Sequence, residues 1–284
     1  IALWNHALAH LGRVESFWLE EVDLVMARHG LRVLPALLAL LGPRAATARA
    51  HVAAFGAVEI APCMARAFAR LKAHRATART WLLAWPGHAA CGLIAPAIGK
   101  PGEIRNQAAS ALRLLASQGH DSLIIEVAAR YARPEVIEAV RAMLDEDPLD
   151  QFPAKRSALP SFWQPQCWTQ PLLRDGGKAL PAEALDILGQ MMTFPVVDGP
   201  YAGLLQVREA CTPQSLGEFS WDCFTAWLNQ GAPAKENWAF TMLGHLGNDD
   251  SARELMAWIN RWTLNGAVHR AVAALEVLVS LGSD

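Results

Sequence analysis

Apolar positions along this chain recur with helical spacing. Leu255, Trp258, Ile259 and Trp262 follow i, i+3, i+4, i+7, and Ile104, Ala108, Ala111, Leu112 and Leu115 follow i, i+4, i+7, i+8, i+11. Each set forms one stripe along a helix. The 267–281 segment is apolar on two sides, with Val268, Val272, Leu275 and Val279 on one and Ala271, Ala274, Leu278 and Leu281 on the other. A helix sandwiched between neighbours needs that pattern. The spacing predicts helices near 15–28, 31–41, 44–55, 57–72, 75–85, 87–98, 102–117, 121–132 and 134–145. Further helices are predicted near 181–193, 201–210, 213–229, 234–246, 251–263 and 267–281.

The stripes end in a repeated signature. Residues 111–121 (ALRLLASQGHD) and 274–284 (ALEVLVSLGSD) are identical at six of eleven positions. Residues 239–249 (AFTMLGHLGND) share Ala, two Leu, Gly and Asp with the last copy, 35 residues away. A weaker copy, LLAWPGH at 82–88, precedes LLASQGH by 32 residues. A fixed period of this length predicts stacked helical repeats, with Leu115, Leu243 and Leu278 in equivalent buried positions. The expected fold is an all-α, HEAT-like solenoid of antiparallel helix pairs in a right-handed superhelix. The chain starts at Ile1 and stops at Asp284, where a repeat's second helix is due. It is therefore expected to be a piece of a longer protein.

Local chemistry marks several helix ends. Ser251 and Glu254 have capping-box spacing. Thr212 precedes Pro213 as a cap, and Pro134 and Pro181 fit first-turn positions. Gly247 and Gly282 fit left-handed helix ends. One stretch breaks the helical period: residues 147–181 hold six prolines. It is expected to divide helical blocks 1–146 and 182–284, to dock through Trp163 and Trp168, and to form a small hairpin about Asp175-Gly176-Gly177.

Three runs, 81–120, 200–250 and 269–284, resemble the HEAT-like region of the large bacterial MolR/YehI-type proteins, a WGR-associated family. The resemblance covers most of residues 60–284. It implies helical repeats beside a WGR module, a domain type linked elsewhere to nucleic-acid ends, and the MolR name implies a proposed role in molybdate regulation. It supplies no catalytic residues. The observed period is shorter than the roughly 40–47 residues of HEAT units, and the Trp-x2-Leu-Gly pattern of tetratricopeptide repeats is absent.

Composition adds limits. The net charge of −2 gives the whole chain no polyanion-binding character. Cysteines 63, 91, 167, 211 and 223 include no CxxC pair, as expected of buried thiols in a reducing cytoplasm. The longest apolar run, Val33–Leu41, is short and contains Pro35, so no membrane partner is expected. His6 and His10 have the i, i+4 spacing of two metal ligands but lack the Glu and third ligand a zinc site needs. No phosphate-cradling glycine loop or nucleophile motif occurs, and Cys223 reads as a core thiol. No catalytic, cofactor or metal residue is assigned. The pairs Trp81/Trp85, Trp221/Trp227 and Trp258/Trp262 read as interhelical packing. Base stacking, as in HEAT-like DNA glycosylases, is the sharper alternative.

Charge is asymmetric. Residues 44–79 carry Arg44, Arg49, Arg66, Arg70, Lys72, Arg75 and Arg79 against Glu59 alone, whereas residues 198–254 carry eight acids against three bases. Arg66, Arg70, Arg75 and Arg79 are the candidate contacts for a polyanion or an acidic partner. The sequence thus points to a non-catalytic scaffold for an unknown protein partner, with nucleic-acid binding through the 44–79 face as the alternative.

Overall fold

The computed structural model describes residues 22–35, 38, 55–153, 156–194, 196–197 and 199–282. Residues 44–54 of the expected 44–55 helix, among them Arg44 and Arg49, lie outside them, as do His6 and His10. Every regular element among the described residues is helical, and β pairing there is confined to isolated bridges. The all-α expectation holds. Two compact units divide between Glu146 and Asp147.

The first unit contains α1 (Val22–His29), α2 (Ala61–Arg70), α3 (Arg75–Ala84), α4 (Pro86–Ala97), α5 (Glu103–Leu115), α6 (Asp121–Ala129) and α7 (Pro134–Leu144). Helix α2 packs on α3, α4 and α5, while α4 also packs on α5 and α6. Met64, Phe68, Trp81, Leu82, Leu93, Ile94, Leu112 and Leu115 fill the space between them. Burying such side chains contributes about 1.5–3 kcal/mol each before chain entropy is subtracted. The α5 stripe is shorter than its spacing implies. Ile104 is 71% exposed, and burial begins at Gln107, one turn further in.

The second unit contains α8 (Ala182–Met192), α9 (Ala202–Ala210), α10 (Pro213–Asn229), α11 (Trp238–Leu246), α12 (Asp249–Leu264) and α13 (Val268–Leu281). Helices α10 and α11 pack together, as do α12 and α13. Helix α11 also lies against α13, and α10 against α12. Apolar faces thereby meet between successive pairs as well as within them.

The Pro-rich stretch is part of this second unit rather than a separator outside it. Phe162 is buried, and Trp163 packs edge-on to Trp168 and Phe219, with centroids 5.1 and 5.9 Å away. The Trp163 indole donates to Asp186 at 3.0 Å. A Cβ added to Gly189 would sit 2.4 Å from the Trp163 ring, so only glycine lets α8 come this close. The hairpin is present in miniature. Leu172 bridges Ala179, Leu173 N–H donates to Lys178 O at 2.8 Å, and Gly176 and Gly177 take φ of 78° and 61°.

Each repeat copy within the described residues marks a corner between consecutive helices: α3 to α4, α5 to α6, and α11 to α12. The corners differ in chemistry. Gly119 takes the left-handed conformation at φ 85°. Gly247 and Gly282 do not, with φ of −67° and −89°. At Gly247 glycine is required by space, because a Cβ would meet Leu243 O at 2.5 Å. The capping box is also set differently. Asn248 caps α12 by accepting from Ser251 N–H at 3.0 Å, and Ser251 Oγ accepts in return from Asn248 N–H. Thr212 caps α10 as expected, accepting from Ser215 N–H, with Pro213 in the first turn.

Leu115 and Leu243 are fully buried, whereas Leu278 is half-buried at the edge of the second core. Leu243→Ala should therefore cost about 2–5 kcal/mol in equilibrium denaturation through the cavity it leaves. Leu278→Ala should cost clearly less. Equal costs at both positions would contradict this packing.

Candidate functional site

The four candidate arginines fall on two helices that pack together, α2 and α3. Arg66 and Arg70, one turn apart on α2, are exposed. Arg70 Nε lies 3.1 Å from Glu103 Oε1 at the start of α5, and both side chains are largely solvent-exposed. Such a pair adds little stability, but it offsets one positive charge of the face. Arg75 is half-buried, and its Nε donates to Phe68 O at 2.9 Å. It satisfies a carbonyl in the last turn of α2, where the helix dipole favours a cation. Arg79, half-buried, sits one turn further along α3. The fold thus brings the four arginines onto neighbouring elements and engages Arg70 with Glu103 and Arg75 with Phe68 O inside the first unit.

A different polar feature lies in the second unit. A cleft of about 740 Å³ is lined by Arg174 of the hairpin turn, Arg208 of α9, His245 of α11, Asn248, and Asp250 and Arg253 of α12. Asp250 pairs with Arg253. Gln214 Nε2 approaches Asp250 at 3.4 Å, and its carbonyl accepts from Asn248 Nδ2 at 3.2 Å. Three arginines from separate elements converge here, and no local spacing announces them. Burial, aided by Arg208, lowers the His245 pKa below its ordinary value of 6.5. The neutral imidazole is therefore favoured in the folded state.

The tryptophans of the sequence pairs are engaged in packing. Trp81 is buried and donates to Phe55 O at 2.7 Å, and Trp227 donates to Pro233 O at 3.0 Å. Trp258 and Trp262 lie 5.5 Å apart between centroids, and Trp221 lies 5.1 Å from Phe224. Cys223 is fully buried, and burial drives its thiol pKa far up, so the thiolate is scarce. Among the described residues, no group of three or more His, Cys, Asp or Glu is placed to hold a metal ion. No described helix is long and apolar enough to cross a membrane.

One apolar surface stands out. Val268, Val272, Leu275 and Val279 of α13 are 58%, 53%, 52% and 73% exposed. They form one of the two apolar sides seen in the sequence. The other faces the core through Ala271 and Ala274, with Leu278 and Leu281 partly buried and Val277 buried beside them.

Across 295 aligned residues spanning its whole length, the chain is 38% identical to "Uncharacterized protein YehI" of Escherichia coli (strain K12), of which it covers 24%. The similarity runs through the whole chain, which spans about a quarter of that relative's length. No family model and no solved structure matches the chain.

Two outcomes follow from the titrating groups. Below pH 6.5 the unfolded His245 takes up a proton that the folded site resists, so stability should fall as pH drops through that value. Thermal midpoints at about pH 7.5 and about pH 5.5, on either side of that value, should differ less in His245→Gln than in the natural chain. Identical differences would exclude His245 as a source of the pH dependence. Maleimide should modify exposed Cys167 in the folded protein and reach Cys223 only after unfolding; rapid native labelling of Cys223 would contradict its burial.

Proposed function

We propose that this chain is a HEAT-like, non-catalytic binding scaffold within a larger, YehI-like bacterial protein of the cytoplasm, and that its ligand is another protein. The observation supporting this reading is the stacking in residues 213–281, where α10 and α11 pair, α12 and α13 pair, and like-placed helices of the two pairs touch. Helix pairs stacked this way present extended side-chain surfaces suited to protein partners. The near-neutral net charge agrees with a protein ligand.

Nucleic-acid binding through Arg66, Arg70, Arg75 and Arg79 is the second reading, favoured by their placement on adjacent helices. It is weakened by the engagement of Arg70 with Glu103 and of Arg75 with Phe68 O. Anisotropy titrations with DNA and RNA at two salt concentrations separate the readings. The scaffold reading expects no saturable binding even at low salt. Tight binding that falls steeply with salt and is weakened alike on all sequences by Arg66→Glu with Arg70→Glu would replace it with the nucleic-acid reading.

A further inference from the structure

The repeat register gives the exposed side of α13 a specific meaning. The copies at 239–249 and 274–284 place α11 and α13 in correspondence at an offset of 35 residues. Helix α11 meets α13 through Gly244, where an added Cβ would lie 2.9 Å from Ser280 Cβ and 3.2 Å from Val277 O. The offset carries Gly244 onto Val279, the most exposed of the four apolar residues. Phe240, buried in the second core, is carried onto Leu275, which is 52% exposed. The position through which α11 seats its successor, Gly244, is thus repeated on α13 as Val279, and the apolar side around Val279 faces solvent. Its residues Val268, Val272, Leu275 and Val279 follow i, i+4, i+7, i+11, the spacing of a helix–helix seam.

We infer that this side of α13 seats a further α-helix of the same stack, carried by the same polypeptide in a protein of its relative's length. The inference rests on the scaffold reading and names one internal surface of it. Three observations select this occupant. First, the seam continues an interface already formed between α11 and α13. Second, the chain covers 24% of its YehI relative, so a protein of that length has ample further sequence to supply helices. Third, four side chains make too small a patch for a separate molecule, which must offset its lost translational freedom, whereas a tethered helix meets the seam at high effective concentration.

Val279→Cys tests this directly. Alkylation of the introduced thiol by N-ethylmaleimide is followed by peptide mass spectrometry in the 284-residue chain and in the longer native polypeptide. Labelling slowed by roughly tenfold or more is expected in the longer polypeptide, the factor set by how strongly a tethered helix occupies the seam, with Cys167 labelled at similar rates in both. Val279→Asp should leave the thermal midpoint of the 284-residue chain unchanged and lower that of the longer polypeptide. Equal labelling of the introduced thiol in the two contexts overturns the inference, as does a native polypeptide that supplies no such helix. Protection in the 284-residue chain that grows with its concentration also overturns it, because a second copy is then the occupant. Nucleic-acid binding at α2 and α3 would defeat the scaffold reading while leaving protection of the introduced thiol as a separate result.

Discussion

A helix with apolar residues on two opposite sides must be covered twice, and the second unit is organised by that requirement. In α11, Ala239, Phe240, Met242, Leu243, Gly244 and Leu246 are all buried, leaving little of the helix for water. Its covers are α8, α10 and α13. Exposing even one large side chain from that set forgoes about 1.5–3 kcal/mol, a sizeable part of a domain's net stability. Close approach makes the double covering possible. Gly244 admits α13, Gly217 admits the Asn248 side chain at the start of α12, and Gly189 admits the Trp163 ring.

The Pro-rich stretch meets the same requirement without being a helix. It lays Phe162, Trp163 and Trp168 against Phe219 and Trp238. Its backbone is tied down by Thr169 N–H donating to Asp222 and Leu172 N–H donating to Ser215, each at 2.8 Å. Proline leaves few backbone donors to satisfy, so a segment of this composition can lie on a core where an ordinary loop would leave polar groups stranded. The stretch covers the aromatic side of the unit that faces α8, α10 and α11.

Much of this was legible in the sequence because burial writes itself as periodicity. The 213–229 helix, its Thr212 cap, the docking of Trp163 and Trp168 and the repeat corners all follow from local spacing and turn chemistry. Misreadings arose where a local pattern had two physical solutions. Ser251 could begin a capping box or close one, and Asn248, already extended, takes the cap. Gly247 could supply a left-handed φ or mere space, and the proximity of Leu243 O selects space. Ile104 belongs to its stripe by spacing, but the first turn of α5 lies outside the covered stretch. The surfaces were less legible. Charge counting found Arg66, Arg70, Arg75 and Arg79, yet the role of Arg75 as a partner for the end of α2 depends on a reversal of chain direction that counting does not see. The cleft around His245 draws on residues from Arg174 to Arg253 and has no local signature.

Amide hydrogen exchange, resolved by segment on the 284-residue chain, tests the central claim that stability in the second unit follows how many sides of a helix are covered. The slowest exchange is expected in α10 and α11, with clear protection of Thr169, Leu172 and Leu173. Exchange along α13, which leaves one apolar side open to solvent, should be much faster. Protection of α13 equal to that of α11 at low protein concentration would contradict the claim, as would exchange of residues 162–174 at the rate of a free peptide.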